Sequence, residues 1–120
     1  MIHLDASALI GAKRSAPRLR ELMAGPEPLA ISSIVLFEWL RGPRLKEEIE
    51  AREIMFPRTD VVSFAAVEAE FAADLYKTVK RPRGREADIA IAACALAHGA
   101  DLWALNKADF KDIPGLQLLT

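Results

Sequence analysis

The chain has 120 residues, 52% hydrophobic and 28% charged, with a net charge of −1; that suits one folded domain with a real core, not a disordered chain or a polycation. Its single cysteine, Cys94, excludes an intrachain disulfide and a thiolate-built zinc cluster, and fits a reducing, cytoplasmic setting. There is no basic start followed by an apolar core, and the longest apolar stretch, Ile89 to Ala97, is far below the ~20 residues a membrane span needs, so neither a signal peptide nor a membrane segment is expected.

Met1 to Leu4 reads as a short apolar strand, and Ser7 to Ala12 and Arg18 to Ala24 as helices, the second ended by Gly25-Pro26. Leu29 to Ile31 is a strand. Ser32 or Ser33 caps a helix to about Leu40, stopped by Arg41-Gly42-Pro43. Leu45 to Met55 is a charged helix ended by Pro57, and Asp60 to Val62 a strand. Ser63 caps a helix to about Val79, with Glu68 and Glu70 outside and Val67, Phe71 and Leu75 inside. Glu86 to His98 is a helix with Gly99 just past its end. Leu102 to Leu105 is a fourth strand, and Leu116 to Leu119 a last one. Short strands alternating with helices predict an α/β domain with a short parallel sheet between layers of helices.

Several polar residues interrupt this pattern where apolar ones belong. Asp5 closes the first strand, Glu38 sits among Leu36, Phe37, Trp39 and Leu40, and Asp88 is the only acid from Ala87 to Ala97. Asn106 and Asp109 follow the fourth strand. A carboxylate in apolar surroundings is costly unless it is paired or binds a metal. Ligands bind beyond the carboxyl ends of the strands in such sheets. Asp5 and Asn106 fall at that edge. The helices bearing Glu38 and Asp88 begin there, and Glu38, about two turns in, reaches back. Taken singly, Asp5 also fits a helix cap, Asp88 a first-turn acid, Asp109 a turn residue and Glu38 a pair with an arginine. Together they predict one cation pocket. Five cations, Lys77, Lys80, Arg81, Arg83 and Arg85, precede Asp88, with further groups at Lys13, Arg14, Arg18 and Arg20 and at Arg41, Arg44 and Lys46. Cations beside a metal are what a phosphate substrate needs. His3 and His98 are expected to be structural, Cys94 a core residue, and Trp39 and Trp103 core or interface residues.

The pieces Ile2 to Ser7, Ser32 to Gly42, Glu86 to Ala93 and Asn106 to Phe110 resemble, in the right order and over nearly the whole chain, the PIN-domain ribonucleases, in particular the VapC toxins of type II toxin–antitoxin pairs. The resemblance implies a single PIN domain over residues 1–120. It implies a metal-dependent endoribonuclease whose core acids are Asp5, Glu38 and Asp88, with Asp109 as a fourth catalytic acid and Ser7 and Asn106 as supporting groups. Where family members commonly carry a threonine before the asparagine, this chain has Ala104-Leu105. An all-oxygen donor set suits Mg²⁺ or Mn²⁺, held by Asp5, Asp88 and Glu38. Lys80, Arg81, Arg83 and Arg85 are expected to meet RNA phosphates. The implied partners are a VapB-type antitoxin, contacting Arg18 to Ala24 and Ser33 to Leu40, and a second copy of the chain. The alternatives are a PIN nuclease of RNA processing or turnover, a phosphohydrolase with Asp5 as nucleophile, which would want a second Asp where Ser7 stands, and a non-catalytic binding module.

Overall fold

The computed structural model describes residues 1–10 and 12–119, with side chains for all of these except 10 and 12–15. Gly11, inside the first predicted helix, and the side chains of Lys13 and Arg14 lie outside the described residues. The elements run β1 (Ile2–Leu4), α1 (Ala6–Ile10), α2 (Ala12–Ala24), β2 (Leu29–Ala30), α3 (Ser33–Leu40), α4 (Lys46–Met55), α5 (Ala66–Thr78), α6 (Glu86–Ala97) and β3 (Asp101–Trp103). Two 3-10 turns, Arg58–Asp60 and Lys107–Asp109, complete the set. The strands form a parallel sheet in the order β2-β1-β3. All three residues of β1 are buried, so both sheet faces are covered by helices, as a parallel sheet requires.

β1 has no free edge. The Ile2 N–H bonds the Pro28 carbonyl on one side; on the other, Asp101 N–H bonds Met1 O and Asp5 N–H bonds Trp103 O at 2.9 Å. The second strand is therefore the gateway to α3, whose N-cap is Ser32, its hydroxyl accepting from Val35 N–H. The core is aliphatic and alanine-rich. Leu4, Ile31, Val35, Leu102 and the inner face of α6 from Ile89 to Ala95 are buried. Ala92, Ala93 and Ala95 let α6 approach the sheet closely, and the chain turns away just past the helix at Gly99, whose φ of +62° suits glycine without strain.

Four expectations need correction. The predicted strand 60–62 is a 3-10 turn followed by a single parallel bridge, Val62 to Ser32, and the predicted strand 116–119 is a single bridge, Leu118 to Leu102. Pro57 and the Pro114-Gly115 turn leave too few residues at either edge to form a ladder. Helix α2 starts at Ala12 and runs through Pro17. Helix α5 starts at Ala66, not at Ser63, and is rotated from the expected face. Val67 and Phe71 are 57% and 42% exposed, whereas Glu68 is buried. The row turned inward is Glu68, Ala72, Leu75 and Val79. Glu68 tolerates this because Oε1 accepts from Ala65 N–H at 2.9 Å, closing the helix start, and Oε2 lies 3.0 Å from His98 Nε2. Those hydrogen bonds hold its carboxyl below the usual range against burial, with His98 adding to them.

Trp39, Trp103 and Cys94 are in the core, as expected. Burial, followed by the nearby Glu68 charge, pushes the Cys94 thiol up to about 11, so it is an inert core residue. His3 is buried against His98, with ring centroids 5.8 Å apart. Burial lowers the His3 pKa to about 4, with His98 and the chain's amino terminus adding to the effect. Among the described residues, no helix is long and apolar enough to cross a membrane.

Candidate functional site

Parallel pairing puts the carboxyl ends of β1, β2 and β3 on one edge, and the acids gather there. Asp5 is the first residue past β1, 6% exposed. Its backbone is the last rung of the β1–β3 ladder, and its carboxylate Oδ2 accepts from the Ser7 hydroxyl at 2.7 Å and from Ser7 N–H at 3.3 Å. The same hydroxyl oxygen accepts from Leu105 N–H at 3.0 Å. Ser7 thus joins the start of α1 to the segment leaving β3, where Asn106 stands.

Glu38, on α3, is 18% exposed at its side chain and lies 3.7 Å from the Arg41 guanidinium. Burial raises its pKa, the charge of Asp5 raises it further, and Arg41 opposes both. Asp88 is in the first turn of α6. Burial, then the charges of Asp5, Asp109 and Glu38, push it up to about 6, against the pull of Arg85. Asp88 therefore feels the other three acids at once. Asp109 closes the second 3-10 turn, its N–H bonded to Asn106 O at 3.1 Å. Both Asn106 and Asp109 are exposed.

The donor set is carboxylate and amide oxygen, the chemistry of a hard divalent cation. Among the described residues, no three acids stand close enough to chelate an ion as they are. The mutual electrostatic influence of these carboxylates would favour an added positive charge beside them. The residues fit a cation of the Mg²⁺ class on these grounds.

The basic residues divide. Lys80, Arg81 and Arg83 are exposed beside the start of α6. Arg85, also expected at the RNA surface, instead forms a two-pronged pair with Asp112, at 2.6 and 2.9 Å. Sequence reasoning overlooked Asp112 altogether. It lies 27 residues from Arg85, and nothing local distinguishes it from a turn acid. It also overlooked the Ser7–Leu105 bond, for which Ser7's place two residues after Asp5 was the available signal.

Known proteins agree with this architecture. VapBC2 from Rickettsia felis, solved bound to a DNA fragment from its promoter, is 26% identical, with a TM-score of 0.75 over 99% of this chain and 98% of that one. A toxin–antitoxin complex from Klebsiella pneumoniae is 24% identical, with a TM-score of 0.71 over 100% and 97% of the two chains. DNA-bound VapBC from Salmonella typhimurium is 23% identical, with a TM-score of 0.75 over 98% and 96%. No curated protein matches the chain by sequence. The PIN domain family model matches residues 2–116, and the chain belongs to the PIN domain family.

Proposed function

We propose that the protein is a divalent-cation-dependent endoribonuclease and the toxin of a toxin–antitoxin pair. The observation that carries this is the convergence at one sheet edge of four acids from separate parts of the chain: Asp88, whose pKa is raised first by burial, also feels the charges of Asp5, Asp109 and Glu38. Negative charge only partly offset by Arg41 and Arg85 at one sheet edge supports a cation-binding role. Asp5, Glu38 and Asp88 would hold Mg²⁺ or Mn²⁺, with Asp109 as the fourth acid and Asn106 beside it. Such a cation, when bound, lowers the pKa of a water ligand and offsets charge on a phosphodiester.

The chain's own residues do the rest. Ser7 fixes the rotamer of Asp5 and ties it to Leu105. Arg41 lies 3.7 Å from the Glu38 carboxylate and offsets part of its charge. Lys80, Arg81 and Arg83 offer exposed positive charge to the phosphates flanking the cut.

The toxin role is supported by the likeness to VapBC2 and by α3, which leaves Phe37 61% and Leu40 44% exposed along a cleft lined also by Ser33, Leu36 and Arg41. An amphipathic antitoxin segment fits such a cleft. Exposed Val67, Phe71 and Tyr76 on α5 support self-association as well. A PIN nuclease of RNA turnover shares every feature of the site and differs only in lacking this partner.

The test is cleavage of total cellular RNA by the purified chain with Mg²⁺ or Mn²⁺, with EDTA, and with Asp88→Ala. Discrete fragments that need both metal and Asp88 support the nuclease. No cleavage together with no metal binding by calorimetry overturns it in favour of a binding module.

A further inference from the structure

Arg85 stands at the N-cap position of α6, three residues before Asp88, and its guanidinium ties several distant groups together. Nη2 meets Asp112 Oδ1 at 2.6 Å and Nη1 meets Oδ2 at 2.9 Å, the parallel fork that guanidinium and carboxylate make best. With the fork fixing its plane, Nη2 also donates to the Asp109 carbonyl at 3.0 Å, and Nη1 to the Lys80 carbonyl at 3.4 Å. Its own N–H is held by Pro82 O, and its carbonyl accepts the first helical N–H of α6, from Ile89. One side chain therefore ties the basic turn, the helix start bearing Asp88 and the 3-10 turn bearing Asp109. The side chain is 24% exposed, against 63% for Arg41, which meets its carboxylate at a single longer contact. An isolated surface ion pair does little for stability, but a two-pronged pair with two further carbonyl bonds fixes geometry.

We propose that Arg85 is a positioning residue of the acid site, not a contact to RNA phosphate: its fork to Asp112 aims it at the Asp109 backbone and holds the Asp109 turn against the start of α6. This rests on the nuclease reading for its kinetic consequences, while its structural part concerns cation binding alone. Asp112 matters in turn because without it the guanidinium swings free toward solvent.

The test takes Arg85→Ala, Arg85→Lys, Asp112→Asn and the double variant Arg85→Ala/Asp112→Asn through steady-state cleavage of one defined RNA and Mg²⁺ calorimetry. Each single change is expected to lower kcat about tenfold or more and to weaken Mg²⁺ binding similarly, the usual scale for a group that orients a metal ligand. KM for RNA stays within about twofold, and the double variant is no worse than the weaker single because the two residues act as one unit. Lysine does not rescue, since an ammonium cannot make the fork and the carbonyl bond together. A phosphate contact gives the opposite pattern: Arg85→Ala raises KM with kcat unchanged, Lys rescues, and Asp112→Asn lowers KM by freeing the arginine; that pattern overturns the proposal. If the wild type binds Mg²⁺ and cleaves nothing, the nuclease reading fails and calorimetry decides: weaker Mg²⁺ binding by Asp112→Asn sustains the strut, and unchanged binding overturns it. Should Arg85→Ala not fold, Asp112→Asn, which keeps the shape and removes the charge, carries the same comparison.

Discussion

The Ser7 hydroxyl donates to the Asp5 carboxylate at 2.7 Å while its oxygen accepts the N–H of Leu105 at 3.0 Å. One small side chain thus sets the rotamer of a candidate metal ligand and satisfies a backbone donor on a segment 98 residues away. Ser7→Ala loses both bonds. We expect about 1–2 kcal/mol lower stability, since a half-buried N–H is left unmatched, and about tenfold weaker Mg²⁺-dependent cleavage. Thermal unfolding and cleavage rates check this, and wild-type cleavage in a folded Ser7→Ala protein refutes it.

Cation binding should read out in the metal-free charge balance. Mg²⁺ is expected to raise the melting temperature of the wild type and to leave that of Asp88→Ala unmoved. Because Asp88 ionises near pH 6 in the metal-free protein, a proton competes with the cation below that point. Affinity should fall as the pH drops through 6, by up to about tenfold per unit. Calorimetry from pH 8 to pH 5 measures it; a flat profile argues against Asp88 as a ligand.

Two groups should shape acid stability in opposite senses. The folded pKa of His3, about 4, lies below its ordinary 6.5, so as the pH falls from 6.5 toward 4 the unfolded chain takes up a proton that the native protein refuses, and stability drops. The folded pKa of Asp88, about 6, lies above its ordinary 3.8, so between pH 6 and about 4 the native protein takes up the proton and stability rises. In EDTA, Asp88→Asn should therefore lose stability relative to the wild type on acidification, and His3→Leu should gain. Melting temperatures across this range decide it, and parallel curves for all three proteins contradict both assignments.

Phe37 offers a surface test. Its ring is 61% exposed, with the Arg41 guanidinium 5.6 Å from the ring centre. Phe37→Glu should leave fold and cleavage intact but weaken antitoxin binding by about 30-fold or more, about 2 kcal/mol, the scale of an aromatic anchor. Co-expression with the antitoxin reading frame, followed by affinity measurement, tests it; unaltered binding moves the contact elsewhere.

That Asp5, Glu38 and Asp88 lie near one another was legible because ionisable groups inside apolar runs are conspicuous and parallel strands put their carboxyl ends on one edge. Helix α5 misled for an equally physical reason. Val67, Phe71 and Leu75 form an apolar row at four-residue spacing, yet of these the helix buries only Leu75, together with Glu68, whose charge is met by Ala65 N–H and His98 from outside the helix. Periodicity sees a helix's own residues and not the partner that makes a buried acid tolerable. The edge strands at 60–62 and 116–119 shrank to single bridges because pairing depends on the neighbour's length as much as on local apolarity. Arg85 was hidden among five cations, since only the fold reveals which of them meets Asp112.

The hydrogen bond from Asp5 N–H to Trp103 O makes the site's first acid the last rung of the sheet. During synthesis the first residues leave the ribosome long before residue 103 exists, so Asp5 stays unanchored until β3 emerges and docks. A chain interrupted between Asp88 and β3 carries Asp5, Glu38 and Asp88 and still lacks the third strand of the edge near which they lie. For the toxin proposed above, that order would work as a safety catch, since translation must nearly finish before the site is framed.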